Sequence, residues 1–134
     1  MHESFDQIHL VVNSVKITFL SFPFKNIQLT NFNDIIKTPT LLDLAAMKTY
    51  ALGGRAKWKD YVDLYFILKD YYPLKDISDR AASMFGADFN EKLLREQLCF
   101  FDDIDYSERV EYIKNEVKET EIKNFLVSIA TAEF

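Results

Sequence analysis

Hydrophobic residues follow two different patterns along this chain, one in the first forty residues and another beyond them. Residues 8–12 and 15–20 are rich in β-branched and aromatic side chains, a composition typical of strands. Asn13-Ser14 lies between the two runs and predicts a two-residue turn. We therefore predict a β-hairpin here, with a weaker third strand over residues 27–30.

Beyond Pro39 the apolar residues recur at helical spacing. Thr40 is a suitable N-cap for a first helix, whereas Gly53-Gly54 and Pro73 are expected to end helices. The spacing predicts helices over residues 41–52, 57–71, 77–85, 90–101 and 107–131, the last of which could contain a break.

These elements predict an α+β fold, in which a small antiparallel sheet is followed by a bundle of about five helices. A length of 134 residues fits one domain, with a β-rich part over 1–38 and a helical part over 39–134. Two or three strands are marginal by themselves in water. The sheet is therefore expected to need further strands, from this chain or from another, and a homo-oligomer is one way to supply them.

Charge and cysteine content exclude several classes of protein. The formal net charge of −5 excludes the strongly basic surface that is typical of nucleic-acid-binding proteins, although a local basic patch is still compatible with RNA binding. Cys99 is the one cysteine, so a disulfide framework is impossible, and we expect its side chain in the core. No apolar run is long enough to span a membrane, which favours a cytoplasmic protein with no membrane partner.

Charged residues that could take part in binding or catalysis concentrate in and between the first two predicted helices. Lys48 projects beside small and apolar residues, and Asp60 and Asp63 stand three positions apart on the second helix. Asp63 precedes the apolar run 64–68, so we expect it to be paired, to have a raised pKa, or to border a cleft. A helical hairpin could bring Lys48 and Arg55 to these carboxylates, either as a structural ion-pair network or as a functional site.

The same stretch resembles a known family. The string Asp-Leu-x-x-x-Lys-x-x-Ala (Asp43 to Ala51), followed by Arg-x-x-x-x-Asp-Tyr-x-Asp (Arg55 to Asp63) and an apolar helix, resembles the downstream motifs of AbiEii/AbiGii-type nucleotidyltransferases. The strand over 15–20 and the following Phe22-Pro23-Phe24 are similar to the segment before those motifs. The resemblance covers nearly the whole chain, and its specific core is about twenty residues.

The resemblance implies roles for individual residues. Lys48 would contact the phosphates of a nucleoside triphosphate, with Arg55 as a second nucleotide-binding residue. Asp63, with Asp60, would be catalytic, and Asp43 would be a supporting motif position. Such a protein would transfer a nucleotide from an NTP to an acceptor such as tRNA, as the toxin of a toxin–antitoxin or phage-defence pair. Its expected partners are an NTP, bound weakly, an RNA acceptor and an antitoxin.

The sequence also departs from this family. An Asp-x-Asp pair, which would hold Mg²⁺ in the intact family, does not precede Val15, and residues 2–6 (His-Glu-Ser-Phe-Asp) do not supply it. Thr18 stands where many nucleotidyltransferases place a third carboxylate on a later strand. We therefore expect no metal site in this chain, a sheet that is a remnant of the nucleotidyltransferase core, and a truncated product that is inactive alone.

Two functions stay open. The chain is either the C-terminal region of such a nucleotidyltransferase, completed by a complementary N-terminal half, or a non-catalytic helical module that binds a partner protein on the same scaffold. In the second case Lys48, Arg55 and Asp63 would be structural.

Overall fold

A computed structural model describes residues 2–3, 7–22, 24 and 27–133 and has the predicted α+β class. Its strands are β1 (His2–Glu3), β2 (Gln7–Val12), β3 (Val15–Leu20), β4 (Leu29–Phe32) and β5 (Ile36–Pro39). Its helices are α1 (Leu41–Gly54), α2 (Trp58–Asp70), α3 (Leu74–Phe85), α4 (Glu91–Cys99) and α5 (Glu119–Thr131). No helix in the described part of the chain has the length and apolar character to cross a bilayer.

The predicted hairpin is confirmed. β2 pairs antiparallel with β3 in a continuous register, and β1 adds to the other side of β2. Asn13 and Ser14 have φ values of 49° and 63°, the left-handed pair that a tight hairpin turn requires. The third predicted strand begins two residues later than expected, at Leu29, and β4 pairs with the unpredicted β5 in a separate two-stranded sheet.

Helix α2 lies at the centre of the helical core. Its Tyr61, Leu64 and Tyr65 are at most 1% exposed, so the apolar run that follows Asp63 is buried as predicted except at Phe66, which is partly buried. α4 and α5 pack against it through apolar residues that are fully buried: Leu98, Ile122 and Leu126. Any polar group on the buried sides of α2 must therefore find a partner inside the fold.

The predicted helix over residues 107–131 is wrong in its first half, because α5 begins only at Glu119. Asp105 Oδ1 accepts a hydrogen bond from Ser107 N at 2.8 Å, which forms a local turn that no helix follows. Val110 and Val117 pack against the core without a helix between them, whereas Ile113 is fully exposed. Val110 and Val117 therefore pack on the core from an irregular backbone, although their spacing resembles that of a helix face.

The predicted helix over residues 90–101 is present as α4 but is shorter, from Glu91 to Cys99. Asn90 caps the helix, since its Oδ1 accepts a hydrogen bond from Leu93 N at 3.1 Å. Leu94 and Leu98 are buried, but Leu93 is exposed. The expected burial of Cys99 is wrong, because the helix ends there and its side chain points away from the core.

A buried ion pair joins α1 and α3. Asp43, 1% exposed, accepts two hydrogen bonds from Arg80, at 2.6 Å from Nε and 3.0 Å from Nη2. Asp43 also accepts from Gln28 N, and its own N–H donates to the Thr40 hydroxyl that caps α1. The hydrogen bonds from Arg80 lower the pKa of Asp43 despite the opposing effect of burial. One carboxylate thus ties two helices to the segment before β4.

The β2–β3 hairpin has one wholly apolar face. Val15, Ile17 and Phe19 lie opposite Val12, Leu10 and Ile8 in the register. The three β3 residues remain 60%, 38% and 58% exposed, respectively. An exposed face of this kind, on a strand that is also a sheet edge, favours association with another surface.

We expect Arg80→Ala to lower the free energy of unfolding by about 3–5 kcal/mol, because it leaves the buried Asp43 carboxylate unpaired. Lys75→Ala on the same helix removes only an exposed pair with Asp79 and should leave the free energy of unfolding nearly unchanged. Since the pKa of Asp43 is lowered from 3.8, its contribution is complete above that pH and is lost as the pH falls through the lowered pKa. Urea denaturation measures both variants, and equal losses would contradict this assignment.

We expect the chain to self-associate through the apolar face of the β2–β3 hairpin. Val15→Lys should shift analytical ultracentrifugation towards monomer, because it places a charge in that face. Val11→Lys is the matched control, since Val11 is 73% exposed and lies opposite Lys16 on the other face. A wild-type chain that is monomeric at high concentration would contradict the prediction.

Candidate functional site

The hairpin of α1 and α2 brings four charged side chains together, as the sequence predicted. Lys48 Nζ lies 2.8 Å from Asp60 Oδ1 and 2.8 Å from Asp63 Oδ2. Arg55 Nε lies 3.4 Å from Asp60 Oδ2. A single ammonium therefore bridges two carboxylates one helical turn apart, and a guanidinium approaches the inner one from the connecting segment.

The two carboxylates of this cluster differ sharply in burial. The Asp60 side chain is 0% exposed and the Asp63 side chain is 51% exposed. The sequence predicted that Asp63 would be the costly carboxylate, and this was wrong. Asp60 shares the core-facing side of α2 with Leu64 and Ile67, which follow at four and seven residues. The deeply placed negative charge is therefore Asp60, and Asp63 lies at the solvent boundary.

Lys48 is held as a cation. Its side chain is 20% exposed, and this desolvation favours the neutral amine. Hydrogen bonds to Asp60 and Asp63 outweigh that effect, so the net shift of the Lys48 pKa is upward. The ammonium is thus charged throughout the physiological range and fixed in position by both carboxylates.

One oxygen in this cluster is incompletely satisfied. Asp60 Oδ2 is buried and has no hydrogen-bond partner among the described residues. Arg55 attracts it across 3.4 Å without hydrogen-bond geometry. The Arg55 side chain is 51% exposed, so it can turn towards solvent or towards a ligand while Asp60 stays bound to Lys48.

Asp43, the predicted supporting position, makes its contacts elsewhere. Its carboxylate is bound by Arg80 and by the backbone of Gln28. The structure therefore gives Asp43 a role in packing α1 against α3, whereas Lys48, Arg55, Asp60 and Asp63 form one cluster.

The described residues do not fit a magnesium site. They contain no group of three or more His, Cys, Asp or Glu side chains placed to hold a metal ion. The nearest candidates, Asp60 and Asp63, already share the ammonium of Lys48. Thr18 Oγ1 is 3.0 Å from His9 Nδ1, so the hydroxyl at the expected third-carboxylate position already has a hydrogen-bond partner. Residues 4–6 and Pro23, which belong to stretches singled out in the sequence, lie outside the described residues.

The structure adds a group that the sequence did not single out. Glu108, in the irregular segment between α4 and α5, forms ion pairs with both Lys57 and Lys59 at the start of α2. About fifty positions separate these partners in the chain, and no local pattern signals such a contact. The pairs lie next to the Lys48 cluster, because Lys59 and Asp63 are four residues apart on one helix face.

Comparison with known proteins identifies the protein family of this chain. The family model described as nucleotidyl transferase AbiEii toxin, Type IV TA system, matches residues 6–132. The chain therefore belongs to the AbiEii nucleotidyltransferase toxin family, and an antitoxin is the partner that a toxin–antitoxin system implies. Searches of curated proteins and of solved structures found no match.

We expect Asp60→Asn and Asp63→Asn to differ in stability although they make the same chemical change. The Asp60 variant should lose about 1–3 kcal/mol, because a buried charged hydrogen bond is removed. The Asp63 variant should lose about 1 kcal/mol or less, because its carboxylate is half exposed. Urea denaturation of both proteins tests the assignment, which fails if the Asp63 variant is the less stable one.

Proposed function

We propose that the Lys48 cluster is the nucleotide-handling part of a nucleotidyltransferase that transfers a nucleotide from an NTP to an RNA acceptor such as tRNA. The observation that carries this is the bridging of Lys48 between Asp60 and Asp63 at 2.8 Å each. These residues also stand at the positions where the sequence resembles the motifs of the family, and the family model spans all of them.

We propose a separate task for each side chain of the cluster. Asp60 is buried and acts as a positioning residue, because it holds the Lys48 ammonium at the surface. Lys48 and the half-exposed Arg55 supply positive charge for the phosphates of the NTP. Asp63 is exposed enough to reach an attacking hydroxyl of the acceptor, orient it and accept its proton.

The same charges limit what the described residues can do alone. Lys48 and Arg55 are balanced by Asp60 and Asp63, so little net positive charge faces a triphosphate. Phosphoryl-type transfer depends on positioning and on neutralising charge that develops on the phosphates. We propose that this chain binds NTP weakly and does not transfer nucleotides by itself, and that carboxylates for Mg²⁺ must come from outside the described residues.

A second candidate function rests on the charge balance. A neutral, mutually paired cluster is also what a structural network between two helices looks like. On this alternative the chain is a non-catalytic helical module that binds a partner protein, and its Lys48 cluster fixes the α1–α2 hairpin. The two candidates differ in whether Lys48 affects a nucleotide.

We expect Lys48→Ala to weaken NTP binding about tenfold or more, the loss that follows when a charged hydrogen bond to phosphate is removed. Isothermal titration calorimetry with each of the four NTPs measures this. Lys75→Ala is the control, because it removes an exposed lysine of α3 outside the cluster. Equal affinity of wild type and Lys48→Ala would favour the structural alternative.

A transfer assay tests the proposal that this chain does not transfer nucleotides by itself. Radiolabel from each NTP, with Mg²⁺ or Mn²⁺ and total tRNA, should stay at background with this chain alone. Incorporation that is abolished by Lys48→Ala or Asp63→Ala would show that the chain is a complete enzyme, and the proposed inactivity would be wrong.

A further inference from the structure

A basic segment stands out in this acidic chain. Residues 44–59 contain four basic side chains and no acidic one, although the whole chain has a formal net charge of −5. Lys48 and Arg55 belong to the cluster already described. Lys57 and Lys59 are left over, and they occupy the N-cap and the second position of α2.

Both remaining lysines bind one carboxylate. Lys57 Nζ donates to Glu108 Oε1, and Lys59 Nζ donates to Glu108 Oε2. These hydrogen bonds lower the pKa of Glu108 to about 2, so it is an anion under all physiological conditions. Two ammonium groups that converge on separate oxygens of one anion form the kind of arrangement that also suits a phosphate group.

The position of the pair on α2 adds to its preference for anions. The first turn of a helix carries partial positive charge, and α2 has no side-chain cap of its own. Trp58 N is already bound to Asp105 O at 3.0 Å, so the attraction comes from the two lysines together with the helix dipole. Both lysine side chains remain accessible, at 25% and 38% exposure.

We propose that Lys57 and Lys59 form a phosphate-binding site that Glu108 occupies in place of a phosphate in this conformation. The inference rests on the proposed function and deepens it, because Lys59 lies one turn from Asp63, where the acceptor hydroxyl would be handled. The ligand class is a phosphate group, from the NTP or from the backbone of the RNA acceptor.

Release of the site requires only a rotation of the Glu108 side chain, which is 40% exposed. The backbone nearby can stay in place, because Asp105 N donates to Ala56 O at 2.7 Å. With Glu108 bound, four cations of the segment face three carboxylates. With Glu108 turned away, they face two, and the local field then attracts phosphate more strongly.

The decisive variant is Glu108→Gln, which removes the competing charge and keeps the size of the side chain. It should tighten binding about two- to fivefold, the range over which an exposed ion pair competes with a ligand. The matched control is Glu111→Gln, in the same segment and with the same change in net charge. Sodium tripolyphosphate and a short oligouridylate are the two probes, and binding to each should weaken as salt is added.

The double variant Lys57→Ala/Lys59→Ala should bind the probe less tightly than wild type, and adding Glu108→Gln to it should give no gain. Lys59→Ala alone repeats the test if the double variant does not fold, as judged by circular dichroism. If these variants change the binding of tripolyphosphate, the site is assigned to the nucleotide. If they change the binding of the oligouridylate alone, the site is assigned to the acceptor.

The inference is overturned if Glu108→Gln binds both probes no more tightly than Glu111→Gln, or if loss of the lysines changes nothing. Its failure is separable from failure of the proposed function. NTP binding that depends on Lys48 but not on Lys57 and Lys59 would leave the proposed function intact and remove only the second site.

Discussion

The charge of Asp60 inside the helical core is the constraint around which the α1–α2 hairpin is arranged. A carboxylate with no exposed surface is tolerated only if a cation comes to it. Lys48 from α1 meets that need, which fixes the separation of the two helices and their rotation about their axes. Because Lys48 then has a defined position, Asp63 acquires a partner as well, and the surface beside it becomes an ordered patch of charge.

The second buried carboxylate works in a parallel way on the opposite side of α1. Asp43 is satisfied by Arg80, by Gln28 N and indirectly by the Thr40 cap. Two buried acids and their cationic partners therefore hold α1 from two sides. One acid is Asp43 on α1 itself, and the other is Asp60 on α2. Much of α1 between them is made of small residues such as Ala45 and Ala46, which are fully buried and let the neighbouring helices approach closely. Specific polar contacts thus orient a helix that has little apolar asymmetry to orient it.

Part of this arrangement could be predicted from the sequence, because it depends on residues that are close together along the chain. The hairpin turn at Asn13-Ser14 and the meeting of Lys48 with Asp63 follow from local periodicity and from one tight connection. Which of Asp60 and Asp63 is buried depends on how the other helices cover α2, and this is a tertiary property. The contact of Glu108 with the start of α2, and the irregular path of its segment, depend on residues about fifty positions away, so no pattern within the segment could reveal them.

The dual bridge made by Lys48 has a consequence for which residues position 48 can accept. An ammonium is a compact charge with donors in several directions, so it can serve two carboxylates that lie at different depths. A guanidinium is planar and longer, and it would pair side-on with one of them while leaving the other without its partner. Arginine, the substitution usually regarded as mildest for lysine, should therefore be poorly tolerated here, and sequence variation at this position should be narrower than its charge alone would suggest.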